Sequence, residues 1–222
     1  MTPFATIEKR AAERVGGKDE LAAKLPEPAS AADLRSVGDD RYLSQMSLRI
    51  FRAGLRHALV DKRWPAFEEA FMGFEPRRVR AMSDEALEGL MKDERLIRHW
   101  GKIKSVRANA AAMLEVAEAF GGFGGYLADW PDTDTTGLWA DLSKRFQQLG
   151  GNSGPYLLRM VGKDTFLLTG DVIRALNHWK AFDGTPKGKR DRAQVQDAFN
   201  RWHAETDRPH CQLSRILALS ID

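Results

Sequence analysis

Apolar residues in this 222-residue chain recur at the three- and four-residue spacing of helices, and the alternation typical of strands is nearly absent. The longest such stretch, residues 42–60, predicts one long helix. Residues 121–136, rich in Gly, Pro and Asp, interrupt the helical pattern and indicate a loop. We therefore predict an all-α fold with one domain over residues 1–222 and a boundary between two lobes near residues 121–136. The predicted buried stripe of the long helix is Leu43, Met46, Ile50, Phe51, Leu55 and Leu59.

The composition is that of a globular protein, with 43% hydrophobic and 29% charged residues. No run approaches the roughly 18 apolar residues that a membrane span needs, and the N-terminus lacks the apolar core of a signal peptide. The single cysteine, Cys211, excludes an internal disulfide framework and suits a reducing compartment, so we expect a cytoplasmic protein. The net charge of +3 permits nucleic-acid binding through a local basic patch but does not demand it.

A glycine-rich turn, Leu-Gly-Gly-Asn-Ser-Gly-Pro at residues 149–155, joins two amphipathic segments and predicts a helix-hairpin-helix over about residues 138–161. Glycines permit the sharp turn, and Pro155 fits the first turn of a helix. Backbone N–H groups at such a helix start can bind a DNA phosphate without reading sequence. The alternative is a plain turn between two helices.

Asp171 follows Thr169-Gly170 and stands at the start of a predicted helix. A carboxylate at a helix N-terminus is stabilised as the anion. Held near a flipped nucleotide, it could stabilise an oxocarbenium-like transition state or activate a water molecule. The alternative is that Asp171 only caps its helix.

Three segments resemble the 3-methyladenine DNA glycosylase I family: Ala-Gly-Leu at residues 53–55, Phe-Glu-Pro at 74–76, and Ile-Arg-His-Trp-Gly-Lys-Ile at 97–103 with Asn109 downstream. The resemblance covers about residues 40–180. It implies a two-lobed, all-helical helix-hairpin-helix glycosylase fold. It also implies a damaged base flipped from double-stranded DNA into a pocket between the lobes.

Particular residues of this chain are candidates for these roles. Asp171 is the expected catalytic carboxylate, because the wider helix-hairpin-helix glycosylase superfamily, which this part of the chain resembles, has a catalytic aspartate after the hairpin. The expected lining of the base pocket is Arg49 and His57, which stand at pocket positions of the family, with Tyr42 and Trp100, which are aromatic residues beside the matched segments. The expected phosphate contacts are Gly151, Ser153, Gly154, Tyr156 and Lys163.

Two departures from the family pattern concern the base pocket. Arg49 stands where the family has the glutamate that recognises the base, and His57 stands where it has a stacking aromatic residue. Arginine accepts no hydrogen bond, so the family's specificity for 3-methyladenine does not carry over.

A third departure concerns metals. The resemblance implies a zinc site of cysteines and histidines, but His203, His210 and Cys211 have no matching N-terminal partners, so we predict no zinc and no cofactor. A monovalent cation at the hairpin carbonyls is compatible with the resemblance.

The sequence thus predicts a monomeric, monofunctional glycosylase that hydrolyses the N-glycosidic bond of a damaged, alkylated base. The alternative hypothesis is a glycosylase-like module that binds damaged or distorted DNA without efficient catalysis. The substitution at Arg49 favours this alternative.

Overall fold

The computed structural model describes residues 1–221, and every regular element in this range is helical, which confirms the predicted all-α class. None of the helices in this range is long and apolar enough to span a bilayer. Two short 3-10 turns lie at Met72–Phe74 and Asp132–Asp134. The α-helices, numbered in chain order, are α1 Phe4–Val15, α2 Lys18–Ala22, α3 Ala31–Ser36, α4 Asp39–Arg52, α5 His57–Ala70, α6 Pro76–Arg80, α7 Asp84–Leu90, α8 Trp100–Phe120, α9 Phe123–Asp129, α10 Thr135–Arg145, α11 Ser153–Met160, α12 Gly170–His178, α13 Lys189–Thr206 and α14 His210–Leu219.

The chain divides into two compact units. The first unit consists of Met1–Pro28, Pro131–Leu138 and the chain from Gly162 onward, and the second unit consists of Ala29–Trp130 and Trp139–Val161. The prediction of a single domain with a lobe boundary near residues 121–136 stays a prediction.

The core of the first unit is aromatic and is built around α14, which packs against α1, α12 and α13. Trp202 is fully buried against Phe4, and its indole N–H donates to the Thr2 carbonyl at 3.2 Å. Phe166 and Phe199 stack with their ring centroids 4.1 Å apart. Aromatic pairs of this kind bury a large apolar area with fixed geometry, which ties the N-terminal helix to the C-terminal helices.

In the second unit α4 packs against α5, α8 and α11. The rings on the inner face of α5 form a continuous stack in which Trp64 lies 5.0 Å from Phe67 and 5.4 Å from Phe74. The Trp64 indole N–H donates to the Ser44 hydroxyl at 3.1 Å. This stack fixes the position of α4, the helix that carries Arg49.

The predicted long helix over residues 42–60 is wrong in its extent. It ends at Arg52, because Gly54 adopts a positive φ of 76°, and α5 begins at His57. Leu55 and Leu59, predicted as buried, are 38% and 46% exposed. The helical spacing of apolar residues continues in the sequence across the turn at residues 53–56, and Gly54 is the only residue there that indicates a break.

The interpretation of residues 121–136 as a loop is also wrong, because α9 occupies Phe123–Asp129. The Phe123 N–H donates to the Asp39 carboxylate at 2.7 Å, so a residue distant in sequence caps this helix. A Cβ atom at Gly124 would overlap the Leu34 carbonyl oxygen. The glycine therefore permits α3 and α9 to pack closely, rather than forming a flexible loop.

Candidate DNA-binding and base-binding site

The turn between α10 and α11 is a tight hairpin. The Leu149 carbonyl accepts the Gly154 N–H at 3.2 Å, and the Gly150 carbonyl accepts the Ser153 N–H at 3.1 Å. Gly151 has a φ of 60°, in the left-handed region that favours glycine. Within residues 1–221 the N–H groups of Gly151 and Asn152 make no hydrogen bond, and both residues are exposed. These two groups are the donors that the hairpin can offer to a phosphate.

Asn109 on α8 fixes the start of this hairpin. Its fully buried side chain accepts the Gln147 N–H at 2.7 Å and donates to the Gln147 carbonyl at 3.1 Å. A buried amide with two satisfied bonds to one backbone unit holds that unit in one orientation. In the sequence Asn109 was part of a family motif, and the structure gives this residue a physical role.

Three of the predicted phosphate contacts have intramolecular partners in the structure, and all five stay predictions. The N–H groups of Ser153 and Gly154 are used inside the hairpin, and a Cβ atom at Gly154 would lie 3.1 Å from the Leu149 oxygen. Lys163 is only 6% exposed, and its ammonium group binds the Asp132 carboxylate at 2.7 Å. A phosphate contact by Lys163 would therefore require this ion pair to break.

Arg49, predicted for the base pocket, lies beside Tyr156. Its guanidinium carbon is 4.9 Å from the centre of the Tyr156 ring, which is a cation–π arrangement. Arg49 is half-buried, and its Nε atom is fully buried without a hydrogen-bond partner. Tyr156 belongs to the first turn of α11, so the hairpin and the arginine are physically joined.

A second cation, Lys102 on α8, completes this cluster and was not singled out from the sequence. Its side chain is 8% exposed, and its ammonium group donates to the carbonyls of Ala53 at 2.6 Å and Phe51 at 3.3 Å. Burial, together with the nearby charge of Arg49, lowers the pKa of Lys102. Burial is also the main cause that lowers the pKa of Arg49, and the positive charge of Arg52 adds to it. We call Arg49, Lys102 and Tyr156 the cation cluster.

Three other predicted pocket residues also belong to the second unit. Tyr42 is 1% exposed, donates its hydroxyl to the Leu34 carbonyl at 2.7 Å and packs on Phe123, so it is a core residue with no surface for a base. His57 is exposed at the first position of α5. Trp100 is half-buried at the first position of α8, with the Lys104 ammonium 5.1 Å from its ring centre.

Asp171, in the first unit, is the second residue of α12 and does not cap it. The N-cap is Thr169, whose hydroxyl accepts the Val172 N–H at 3.3 Å. The Asp171 carboxylate is 56% exposed and binds Arg174 at 2.7 Å. By contrast, Asp164 accepts the backbone N–H groups of His210 and Cys211, both at 2.8 Å, and is therefore committed to structure.

The comparison with protein families settles the relationship of this chain. The Methyladenine glycosylase family matches residues 34–148, which is more than half of the chain and includes α4, α8 and Asn109. The chain belongs to the methyladenine glycosylase family. The resemblance predicted from the sequence is thereby confirmed.

Individual relatives of this methyladenine glycosylase family member are distant. It is 37% identical to DNA-3-methyladenine glycosylase 1 of Escherichia coli over 67 residues, which are 30% of this chain and 36% of the relative. Its structure is similar to that of 3-methyladenine DNA glycosylase I from Staphylococcus aureus, with a TM-score of 0.51, 22% identity, and coverage of 70% of this chain and 91% of the other.

The similarity to the 8-oxoguanine glycosylase/lyase of Methanocaldococcus jannaschii, solved with DNA, has a TM-score of 0.52 at 13% identity and covers 96% of this chain and 95% of the other. At such identities the likeness shows the fold alone. It confirms the predicted helix-hairpin-helix glycosylase fold.

The metal predictions for this methyladenine glycosylase family member stay predictions. Among residues 1–221 no group of three or more His, Cys, Asp or Glu side chains is arranged to hold a metal ion. The Leu149 and Gly150 carbonyls each accept one N–H group inside the hairpin. A carbonyl oxygen has two lone pairs, so a monovalent cation there remains compatible with the geometry.

Proposed function

We propose that this chain is a monofunctional DNA N-glycosylase, which hydrolyses the bond between C1′ and the base of a damaged nucleotide flipped from duplex DNA. The family suggests an alkylated base as the substrate class. One observation carries the proposal: Tyr156, directly after the hairpin, stacks on Arg49, so a phosphate-binding turn adjoins a half-buried group able to bind a base.

In this proposal the hairpin N–H groups of Gly151 and Asn152 hold the DNA backbone, and the cation cluster contacts the flipped base. As the glycosidic bond breaks, its electron pair leaves with the base and positive charge develops on the sugar. A carboxylate near C1′ stabilises that charge, and a water molecule then adds to C1′. We propose Asp171 for this role, because its carboxylate is exposed and free of backbone contacts.

The test is base release from methylated duplex DNA, analysed by chromatography under single-turnover conditions. For Asp171→Asn we expect release to slow by about a hundredfold or more, as for loss of a positioned catalytic group. Because Thr169 caps α12 and the ion pair with Arg174 is exposed, stability should fall by less than about 1 kcal/mol. Asp197→Asn, at an exposed position on α13, is the matched control. Unchanged release by Asp171→Asn would exclude this residue as the catalytic carboxylate.

The hairpin is tested by Asn152→Asp. This exposed, nearly isosteric change adds one negative charge at the tip, whereas an aspartate at Gly154 would also strain the turn. Repulsion of the phosphate should weaken duplex binding several-fold at low salt. Gln194→Glu, exposed on α13, is the control. Equal binding curves for Asn152→Asp and wild type in a salt titration would refute the hairpin contact.

The second candidate function is a DNA-binding module without efficient catalysis. The pairing of Asp171 with Arg174 favours it, because an arginine beside the carboxylate partly offsets the negative charge that would stabilise a cationic transition state. Lesion-dependent binding without release of any base would support this candidate against the first.

A further inference from the structure

We propose that Arg49 reads the edge of the flipped base, and that the substrate is a 6-oxopurine, a base of the guanine or hypoxanthine type, rather than an adenine. The inference rests on the proposed glycosylase function and deepens it by naming the class of base. It starts from the hydrogen-bonding state of Arg49.

The guanidinium of Arg49 has five N–H donors and uses none of them within residues 1–221. No side-chain hydrogen bond or ion pair joins it to any part of the described chain, and its Nε atom is fully buried. A fully buried donor without an acceptor, such as Nε, is costly, and such groups are rare in folded proteins away from functional sites. Since Arg49 is only half-buried, its outer N–H groups remain accessible to a ligand.

The charged side chains that act most strongly on Arg49 and Lys102 are cations. Lys102 is buried beside it and binds only carbonyl oxygens. Arg52, one turn of α4 away, is already paired with Asp61 at 2.7 Å. An electron-rich ligand with acceptor groups fits this environment, whereas a ligand that presents donors does not.

The purine bases differ in whether their major-groove edge presents acceptors alone or an acceptor and a donor. Guanine and hypoxanthine present O6 and N7, two acceptors that match the fork of an arginine. Adenine presents N7 and the donor N6, and arginine has no acceptor for N6. The Tyr156 ring lies against the guanidinium group, which restricts the positions that the arginine side chain can adopt.

The positive charges of Arg49 and Lys102 also favour release of a 6-oxopurine. When the C1′–N9 bond of an uncharged 6-oxopurine breaks, the electron pair leaves with the base, which becomes anionic. Water adds to C1′, and the proton it loses neutralises the base. Arg49 and Lys102 stabilise the departing anion, an electrostatic effect that is strong in a partly buried site.

The test compares two lesions that differ at this edge and in the 2-amino group of guanine, and it includes hypoxanthine, a 6-oxopurine without that amino group, to separate the two differences. Methylated DNA contains 3-methylguanine and 3-methyladenine, which carry the methyl group at the same position and the same positive charge as nucleosides. Their release, normalised to the content of each lesion, is measured for wild type, Arg49→Gln and the exposed control Arg78→Gln. A duplex with a single hypoxanthine gives the uncharged case.

We expect wild type and Arg78→Gln to release 3-methylguanine faster than 3-methyladenine, and to release hypoxanthine. Glutamine pairs with the adenine edge, so Arg49→Gln should lower the ratio of the two methylated bases by about tenfold or more. Arg49→Lys, which keeps the charge but loses the fork, should lower the ratio as well. A wild-type preference for 3-methyladenine, or a ratio independent of residue 49, would overturn the inference.

A phosphate could also satisfy Arg49. In that case Arg49→Gln would weaken binding to every duplex alike, reduce the salt dependence by about one ion, and leave the ratio of released bases unchanged. This outcome contradicts the proposal.

A second experiment tests base recognition by Arg49 independently of the glycosylase reaction. It measures equilibrium binding of the free bases hypoxanthine and adenine to the intact protein by calorimetry. If no DNA releases any base, the glycosylase proposal fails. A preference for hypoxanthine that Arg49→Gln abolishes would still support edge reading by Arg49. Equal binding of the two bases, or no binding of either, would count against it.

Discussion

The two units each bury a lysine, and they treat its charge in opposite ways. In the first unit Lys163 is 6% exposed and binds the Asp132 carboxylate at 2.7 Å. In the second unit Lys102 is 8% exposed, reaches only backbone carbonyls and has Arg49 as its charged neighbour. Similar burial thus goes with a satisfied charge in one unit and an excess of positive charge in the other.

This difference between the two lysines indicates which of them stabilises the fold and which belongs to a binding site. Burial of a charge is unfavourable unless a partner compensates it, so a paired cation can contribute to folding, whereas an unpaired one must be tolerated at a cost. Residues that reduce stability in this way concentrate where a ligand supplies the missing partner. We therefore interpret Lys163 as structural and the cation cluster as a site that is completed by its ligand.

The largest effect on stability is expected from Lys163→Met, which keeps the aliphatic stem but removes the ion pair. Because the Asp132 carboxylate is 58% exposed and stays hydrated, the free energy of unfolding should fall by roughly 1–2 kcal/mol, less than for a fully buried pair. Urea unfolding measures this value, with the exposed Lys187→Met as the control. An unchanged unfolding midpoint would show that the ion pair of Lys163 does not stabilise the fold.

A smaller effect, which depends on pH, is expected from His210 in the first unit. Both ring nitrogens are buried without a hydrogen-bond partner, and burial lowers the pKa of His210. The folded protein therefore keeps this histidine neutral at a pH where the unfolded chain already protonates it. Stability should decline as the pH falls below the ordinary histidine pKa of about 6.5.

His210 lies edge-on against the stacked rings of Phe166 and Phe199. His210→Phe should flatten this part of the pH profile, because it removes the buried imidazole that folding keeps neutral. Thermal melting between pH 5 and pH 8, with the exposed His57→Phe as control, measures the change. An equally steep loss below pH 6.5 in His210→Phe would contradict this role.

The sequence predicted the helical class and the family, because helical periodicity and the motif at residues 97–103 are both local signals. It failed where a distant contact decides the structure. Lys163 follows Gly162 and has the local pattern of an exposed turn, yet Asp132, 31 residues earlier, pairs with it. α9 was missed for the same reason, since Asp39 supplies its cap.

The candidate site was predicted in part. The resemblance to the family drew attention to Arg49, but no sequence pattern could show that its guanidinium lies on Tyr156 or that Lys102 is buried beside it. Tyr42 was chosen because it is an aromatic residue near the matched segments, and the structure uses it in the core instead. Side-chain partners across helices depend on tertiary packing, which periodicity does not encode.

The most direct test of the account is the free energy of unfolding of Arg49→Met, measured with urea beside wild type and Lys163→Met. Methionine keeps a flexible, helix-favouring side chain and removes the unpaired charge. The loss of the contact with Tyr156 and the relief of burial should nearly cancel, so stability should stay within about 1 kcal/mol of wild type or rise. A loss as large as that of Lys163→Met would mean that Arg49 is a structural residue, and would contradict the account.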